Sequence, residues 1–262
     1  WGSLWEVVDF LDRIVSDEAR GSYQRFVCDL LRPGSGQVGW SRANGEKGQV
    51  AVLPVDELAA LGTLGQDQEV IAGARRLFGR YLTDAKGVSP ELIDGMLQVV
   101  AYNASADDME RIMALYRAVP PDAMSERLRY MVALSYLQQA ELIERALEWS
   151  VSAEVDPVFD RWYLLCFMLD RRAAHPIAWR FLKEHWNELF GEEPNAVTIS
   201  CLYGATTEEL LEDLKVFLAA HPATAAEPAA GETLEQISLK VAVGKRLAGA
   251  LNRWLKEHYP AR

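Results

Sequence analysis

The stretch Pro176-Ile177-Ala178-Trp179-Arg180-Phe181-Leu182-Lys183-Glu184-His185-Trp186-Asn187-Glu188-Leu189 decides how the chain folds. Its large apolar residues Trp179, Leu182, Trp186 and Leu189 recur every three or four positions, with Arg180, Lys183, Glu184 and Glu188 between them. That is the period of one buried face on an α-helix. A half-buried strand would alternate at every second residue.

The same spacing runs outward in both directions. Leu4, Val7, Val8, Leu11, Ile14 and Val15 make one stripe, and Tyr23, Phe26, Val27, Leu30 and Leu31 make the next. Ile71, Ala74, Leu77, Phe78 and Leu82 follow, then Leu92, Met96 and Val99, then Ile112, Leu115 and Tyr116. Leu210, Leu211, Leu214, Phe217 and Leu218 repeat it, and residues 234–255 close the chain with Ile237, Val241, Ala248, Leu251 and Leu255 on one face. Ser89-Pro90 and Asp156-Pro157 place a capping side chain before a proline at a helix start. Thr206 with Glu209 and Thr233 with Gln236 fit the reciprocal capping box, and Ser105 with Asp108 is a weaker version. Joints are expected at residues 33–48, 86–88, 120–121, 191–195 and 222–231. Residues 49–53 alternate weakly before Pro54. With no second strand pattern to pair with, they read as an extended loop or a broken helix rather than a strand.

Successive helices of about 12 to 20 residues, each with one broad apolar face, must stack on their neighbours to bury it. The expected fold is all-α: an α-solenoid or superhelix of stacked antiparallel helical hairpins, HEAT- or armadillo-like, with a concave binding side. Residues 1–262 are expected to form a single helical-repeat domain with a flexible loop at 33–48.

Composition narrows the function. Half of the 262 residues are hydrophobic and a quarter are charged, as in an ordinary folded protein. The net charge of −11 repels phosphate backbones and anionic headgroups, so neither nucleic acid nor a membrane is an expected partner. The longest apolar run, residues 162–169, is too short to span a bilayer and reads as a buried helix. Cys28, Cys166 and Cys201 lie far apart and read as buried thiols, which together with the lack of a leader leans towards a cytoplasmic setting. The chain opens on Trp1 rather than Met, so a piece of a longer protein is expected.

No catalytic constellation emerges. HExxH, which sets two zinc-binding imidazoles one turn apart beside a general base, is absent, and no pair among His175, His185, His221 and His258 has that spacing. The strings Lys183-Glu184-His185-Trp186 and Lys256-Glu257-His258-Tyr259 resemble each other, but supply too few ligands for a metal and read as charged helix ends. Gly34-Ser35-Gly36-Gln37-Val38-Gly39 matches GxGxxG by letter. It lacks the strand before it and the helix after it that a dinucleotide site needs, so it reads as an inter-helix loop. Asp107-Asp108, Glu192-Glu193 and Glu208-Glu209 read as helix-start or loop carboxylates. Asn103-Ala104-Ser105 is a glycosylation sequon of a kind that arises by chance in a chain this long. No catalytic, cofactor-binding or metal residue is assigned, and substrate-binding residues stay unassigned.

Three stretches resemble the C-terminal helical domain of the M1 zinc aminopeptidases, the group of aminopeptidase N and puromycin-sensitive aminopeptidase. The first joins Leu115-Tyr116, Ser125-Glu126-Arg127-Leu128-Arg129-Tyr130 and Leu142-Ile143-Glu144-Arg145-Ala146-Leu147. The second and most specific is residues 176–189, which departs at His185 where Asn is usual. The third runs through residues 210–222 and on from Leu234 to Trp254-Leu255. Ala74-Arg75-Arg76-Leu77-Phe78-Gly79-Arg80-Tyr81-Leu82 agrees in outline, while Pro54 stands where a helical Arg is common. The resemblance implies a non-catalytic domain that closes over a zinc cleft and shapes a peptide chamber. The zinc, the HExxH helix and the GxMEN loop would lie in a preceding catalytic domain of the same parent chain. The implied partners are that domain and peptide substrates. A cut edge exposing an apolar patch would add a second copy, making a homo-oligomer. On this reading the chain alone neither holds zinc nor cleaves peptides. A freestanding helical-repeat interaction module is the alternative. A helical enzyme of another kind would need a polar pocket that no motif here marks.

Overall fold

A computed structural model describes residues 2–32, 37–40, 50–51, 53–157, 159–190, 201–222 and 226–260. The helices among them are α1 (Gly2–Ile14), α2 (Arg20–Leu31), α3 (Val55–Gly62), α4 (Gln68–Thr83), α5 (Pro90–Tyr102), α6 (Ala106–Ala118) and α7 (Met124–Leu134). They continue with α8 (Ala140–Ser150), α9 (Asp160–Leu169), α10 (His175–Glu184), α11 (Trp186–Phe190), α12 (Glu208–Ala220) and α13 (Glu227–His258). The fold is all-α, as the apolar spacing predicts. Among the described helices about half fall within the expected 12 to 20 residues, most of the others are shorter, and α13 is longer, at 32 residues.

The chain divides into two compact units. One contains residues 17–138 and 254–262, the other residues 1–16 and 139–253. In the first, helices pack on the next and the next but one: α5 lies against α3, α4 and α7, and α7 also against α6. That is the neighbour pattern of stacked hairpins. Met96, Leu97, Val99 and Val100 of α5 are all buried, because α5 is covered from several sides. The Tyr81 and Tyr130 hydroxyls meet at 2.8 Å and join α4 to α7 inside the core. In the second unit α8 packs on α9 and α10, and α9 packs on α10.

The stretch at 176–189 shows why its aromatic residues keep that spacing. The indole of Trp179 donates to Asp213 of α12 at 2.6 Å, and the Lys183 ammonium donates to the same carboxylate oxygen at 2.6 Å. Trp179 and Trp186 both meet the Phe217 ring edge-on, at centroid distances of 5.3 and 5.0 Å. α10 and the start of α11 therefore grip α12 through a shared aromatic residue and a shared acid. The N-terminal α1 is held by charge instead. Arg13 bonds Asp170 and Asp9, each at 2.6 Å, and Arg172 donates to the Asp12 carbonyl. Burial works against the Arg13 charge, and the two carboxylates more than reverse that. Val8 and Val15 of the first stripe are buried, whereas Val7 faces outward.

Several local expectations need correction. Val50–Ala51 forms a two-residue parallel ladder with Gln37–Val38, so a short strand exists where a loop or broken helix is expected. The partner strand has too few residues to show alternation. Asp156 accepts from the Phe159 amide, but α9 begins only at Asp160; Asp156 closes a turn before the helix. The α12 cap is Thr207, one residue after the expected Thr206. Thr233 is buried inside α13, which starts at Glu227, so the capping reading at Thr233 fails and the joint at 222–231 is shorter than expected. The Ser105 box is fully formed, with Asp108 also bonded to Arg75. Cys28 and Cys166 are half-buried rather than buried. The expected joint at 191–195 and most of the loop at 33–48 lie outside the described residues.

Trp40, which follows the first short strand, is buried and donates its indole N–H to the Val70 carbonyl at 2.9 Å. Its ring lies where Gly73 of α4 has no side chain: a Cβ there would meet Trp40 at 2.6 Å, whereas one at Gly79 meets nothing within 4 Å. Alanine normally stabilises a helix interior by ~1 kcal/mol over glycine. Gly79→Ala should therefore raise the unfolding free energy in urea melts by about that much, and Gly73→Ala should lower it. Equal gains from both would show that Trp40 does not occupy this notch.

His175 is buried, with Nδ1 against the Leu169 carbonyl. Burial, helped by the Arg13 charge, holds its imidazole below the usual value despite that bond and Asp170. A depressed histidine leaves the unfolded chain binding the proton first. Stability should thus be full above about pH 6.5 and fall as pH drops through that value. Chemical unfolding between pH 8 and 5.5 should show this slope, and His175→Asn should flatten it. An unchanged slope in that variant would assign the effect elsewhere.

Candidate functional site: a groove between two stacked helices

The histidines that sequence reading considered for a metal have structural roles. His185, His221 and His258 sit at the C-terminal ends of α10, α12 and α13. Each stacks on the aromatic ring four residues before it: Phe181 at 4.3 Å, Phe217 at 4.1 Å and Trp254 at 4.9 Å. A histidine at a helix C-terminus also complements the partial negative charge there. His185 adds a 3.0 Å contact to Glu188. Among the described residues no three His, Cys, Asp or Glu side chains converge as metal donors.

The other candidates resolve in the same way. Asp107 and Asp108 stand in the first turn of α6, and Glu208 and Glu209 in that of α12. Glu192-Glu193 lies outside the described residues. The Asn103 side chain of the sequon donates to the carbonyls of Gly62 and Val99, at 3.1 and 2.9 Å, so it braces the α5 end against α3. Cys28 donates its thiol to the Gly65 carbonyl, and burial pushes that thiol up to about 11, far from a nucleophile at neutral pH.

The structure shows a groove that sequence reading did not name. It lies between α5 and α7 and is lined by Asp94, Gln98, Ser125, Leu128, Arg129 and Val132. Its volume is about 540 Å³, counting the open mouth. Asp94 and Gln98 are one turn apart on α5, and Ser125, Leu128, Arg129 and Val132 follow the spacing of one α7 face. Both helices are fixed from behind, α5 by its buried methionine and aliphatic residues and α7 by Tyr130. Leu128 and Val132 form a half-buried apolar floor. Arg129 Nε donates to Asp94 Oδ1 at 2.5 Å; burial disfavours the guanidinium charge, and the Asp94 bond restores it beyond its ordinary value. That is its one hydrogen bond among the described residues, and the side chains of Gln98 and Ser125 make none there. The groove therefore presents donors and acceptors over an apolar floor, which is the chemistry of a binding surface rather than of bond cleavage.

The six lining residues are split between helices about 30 positions apart in sequence, so no motif joins them. The signal was a polar face at helical spacing between the apolar stripes, which a search for catalytic motifs passes over.

The described residues thus form stacked helices with an open groove between α5 and α7. The chain belongs to the ERAP1-like C-terminal domain family, whose model matches residues 1–239. It is 22% identical to "Aminopeptidase 2, mitochondrial" of Saccharomyces cerevisiae over 249 residues, 92% of this chain and 26% of that protein. It is 25% identical to "Aminopeptidase M1-B" of Oryza sativa subsp. japonica over 243 residues, 87% of this chain and 27% of that protein. "Aminopeptidase M1-A" of the same organism is 26% identical over 180 residues, 66% of this chain and 20% of that protein. The matches thus span between a fifth and just over a quarter of these relatives. The chain is a C-terminal-type helical domain related to M1 aminopeptidases, as its resemblance implied. No described helix is long and apolar enough to cross a membrane.

The Arg129–Asp94 pair is partly solvent-exposed, so it should add little to folding. Asp94→Ala should shift unfolding free energy by less than ~1 kcal/mol in urea melts. A loss of several times that would make Asp94 a structural residue and remove it from the site.

Proposed function

We propose that this chain is the non-catalytic C-terminal domain of an M1 zinc metallo-aminopeptidase, that it caps the active-site cleft, and that it helps shape the peptide-binding chamber. The match of residues 1–239 to the ERAP1-like C-terminal domain carries the proposal. The short share of each aminopeptidase covered, and the lack of HExxH and GxMEN in this sequence, support placing the chemistry in another part of the parent. The parent would remove N-terminal amino acids from peptides, with zinc and its ligands in the catalytic domain. Within it the 262 residues act as one helical-repeat domain whose partners are that catalytic domain and the peptide. A cap of this kind excludes water from the polarised scissile bond and selects peptides by what fits beneath it. Sparse, widely separated cysteines favour a cytoplasmic setting.

The coding sequence upstream of Trp1 is the first test. An HExxH helix and a GxMEN loop there are the expected result. An initiator Met shortly before Trp1 would overturn the proposal in favour of a freestanding interaction module. In the parent enzyme, removing this domain should lower kcat/KM for long peptides at least about tenfold more than for a single-residue aminoacyl reporter, a difference of ~1.4 kcal/mol in transition-state binding. An equal loss for both substrates would contradict a capping role.

A further inference from the structure

We infer that the α5–α7 groove is a subsite for an internal segment of extended peptide, recognised through its main chain and one apolar side chain, and not for a peptide's terminal carboxylate. The inference rests on the reading of this domain as one that faces peptides, and names the place and the chemistry.

Four features of the groove point to that ligand. The first is Gln98, whose half-buried carboxamide makes no hydrogen bond among the described residues. A carboxamide offers a donor and an acceptor side by side, which match the carbonyl and N–H of a peptide unit. Ser125, on the facing helix, adds a hydroxyl that serves as either. The second is Arg129. One of its donors is committed to Asp94, and its remaining N–H groups make no hydrogen bond among the described residues, so they are available to a peptide carbonyl. The third is the floor of Leu128 and Val132, one turn apart on α7, which would take an aliphatic side chain projecting from that peptide.

The fourth feature decides against a carboxylate. Asp94 already supplies the negative partner of Arg129 at 2.5 Å, and its side chain stays 59% exposed at the groove. A free carboxylate would have to approach that anion or displace it. An uncharged peptide group meets neither obstacle, because it needs hydrogen-bond donors rather than a net positive charge. Neighbouring exposed acids Glu91 and Glu126 on the same two helices act in the same direction. Main-chain recognition tolerates many sequences.

The test uses the 262-residue chain and fluorescence anisotropy. The probes are N-acetylated nonapeptides of Gly and Ser with one central Leu, labelled through an added Lys side chain, each made with a free or an amidated C-terminus. Both forms should bind with dissociation constants within about twofold of each other. Replacing the Leu by Ser, or N-methylating the peptide bond beside it, should each weaken binding about fivefold or more. Gln98→Ala and Ser125→Ala should each weaken it about threefold to tenfold with unchanged circular dichroism melts, since neither side chain has a hydrogen-bond partner to lose among the described residues. Binding only of the free-carboxylate form would overturn the inference, as would affinity indifferent to the Leu, to N-methylation or to both substitutions. No binding at about 1 mM peptide would overturn it too. These outcomes are separable from failure of the capping proposal. Peptide bound here by a chain with no upstream peptidase leaves the groove intact and removes the cap. A confirmed parent enzyme whose domain shows no such binding does the reverse.

Discussion

A single hairpin cannot cover the apolar face of α5, and the packing of the unit around it follows from that. α5 carries Ile93, Met96, Leu97, Val99, Val100 and Ala101, all buried, on more than half of its circumference. Only packing on α3, α4 and α7 together hides so wide a face. Each large aliphatic side chain so buried contributes ~1.5–3 kcal/mol relative to exposure, whereas one hairpin would leave many of them in water. Stacking is thus enforced.

The polar groups caught in the stack are matched locally. Tyr81 meets Tyr130, Arg127 lies over the Tyr116 ring and bonds its hydroxyl, and Asp108 accepts from its own helix cap and from Arg75. Those bonds satisfy several of the inward-facing polar groups. Between α5 and α7 two outward polar faces converge. The groove is in this sense a by-product of stacking: α5 is covered on several sides, Asp94 and Gln98 stand on its remaining side, and Arg129 meets them from α7.

Much of this was legible in the amino-acid order. The spacing of Trp179, Leu182 and Trp186 marks a helix and its buried side, because burial on a 3.6-residue period leaves that trace. What it could not show is that Trp179 and Lys183 share Asp213, since the acid lies some 30 residues on and carries no mark of its own. Caps slipped by one or more residues at Thr206 and Thr233, because neighbouring threonines and glutamates offer several equivalent boxes and tertiary packing chooses among them. The strand pair at Gln37–Val38 and Val50–Ala51 was missed because two residues have no periodicity. Absence of a peptidase motif could be read directly. The groove could not, since its residues are ordinary polar side chains made special only by two helices coming together.

The most direct measurement is a methyl-resolved NMR titration of the chain with the Leu-containing, C-terminally amidated peptide. The account predicts that the Leu128 and Val132 methyl resonances shift with one common binding curve, while those of the outward-facing Val216 and Leu239 stay in place. Shifts at Val216 or Leu239 with Leu128 and Val132 unmoved would put the peptide elsewhere and contradict it.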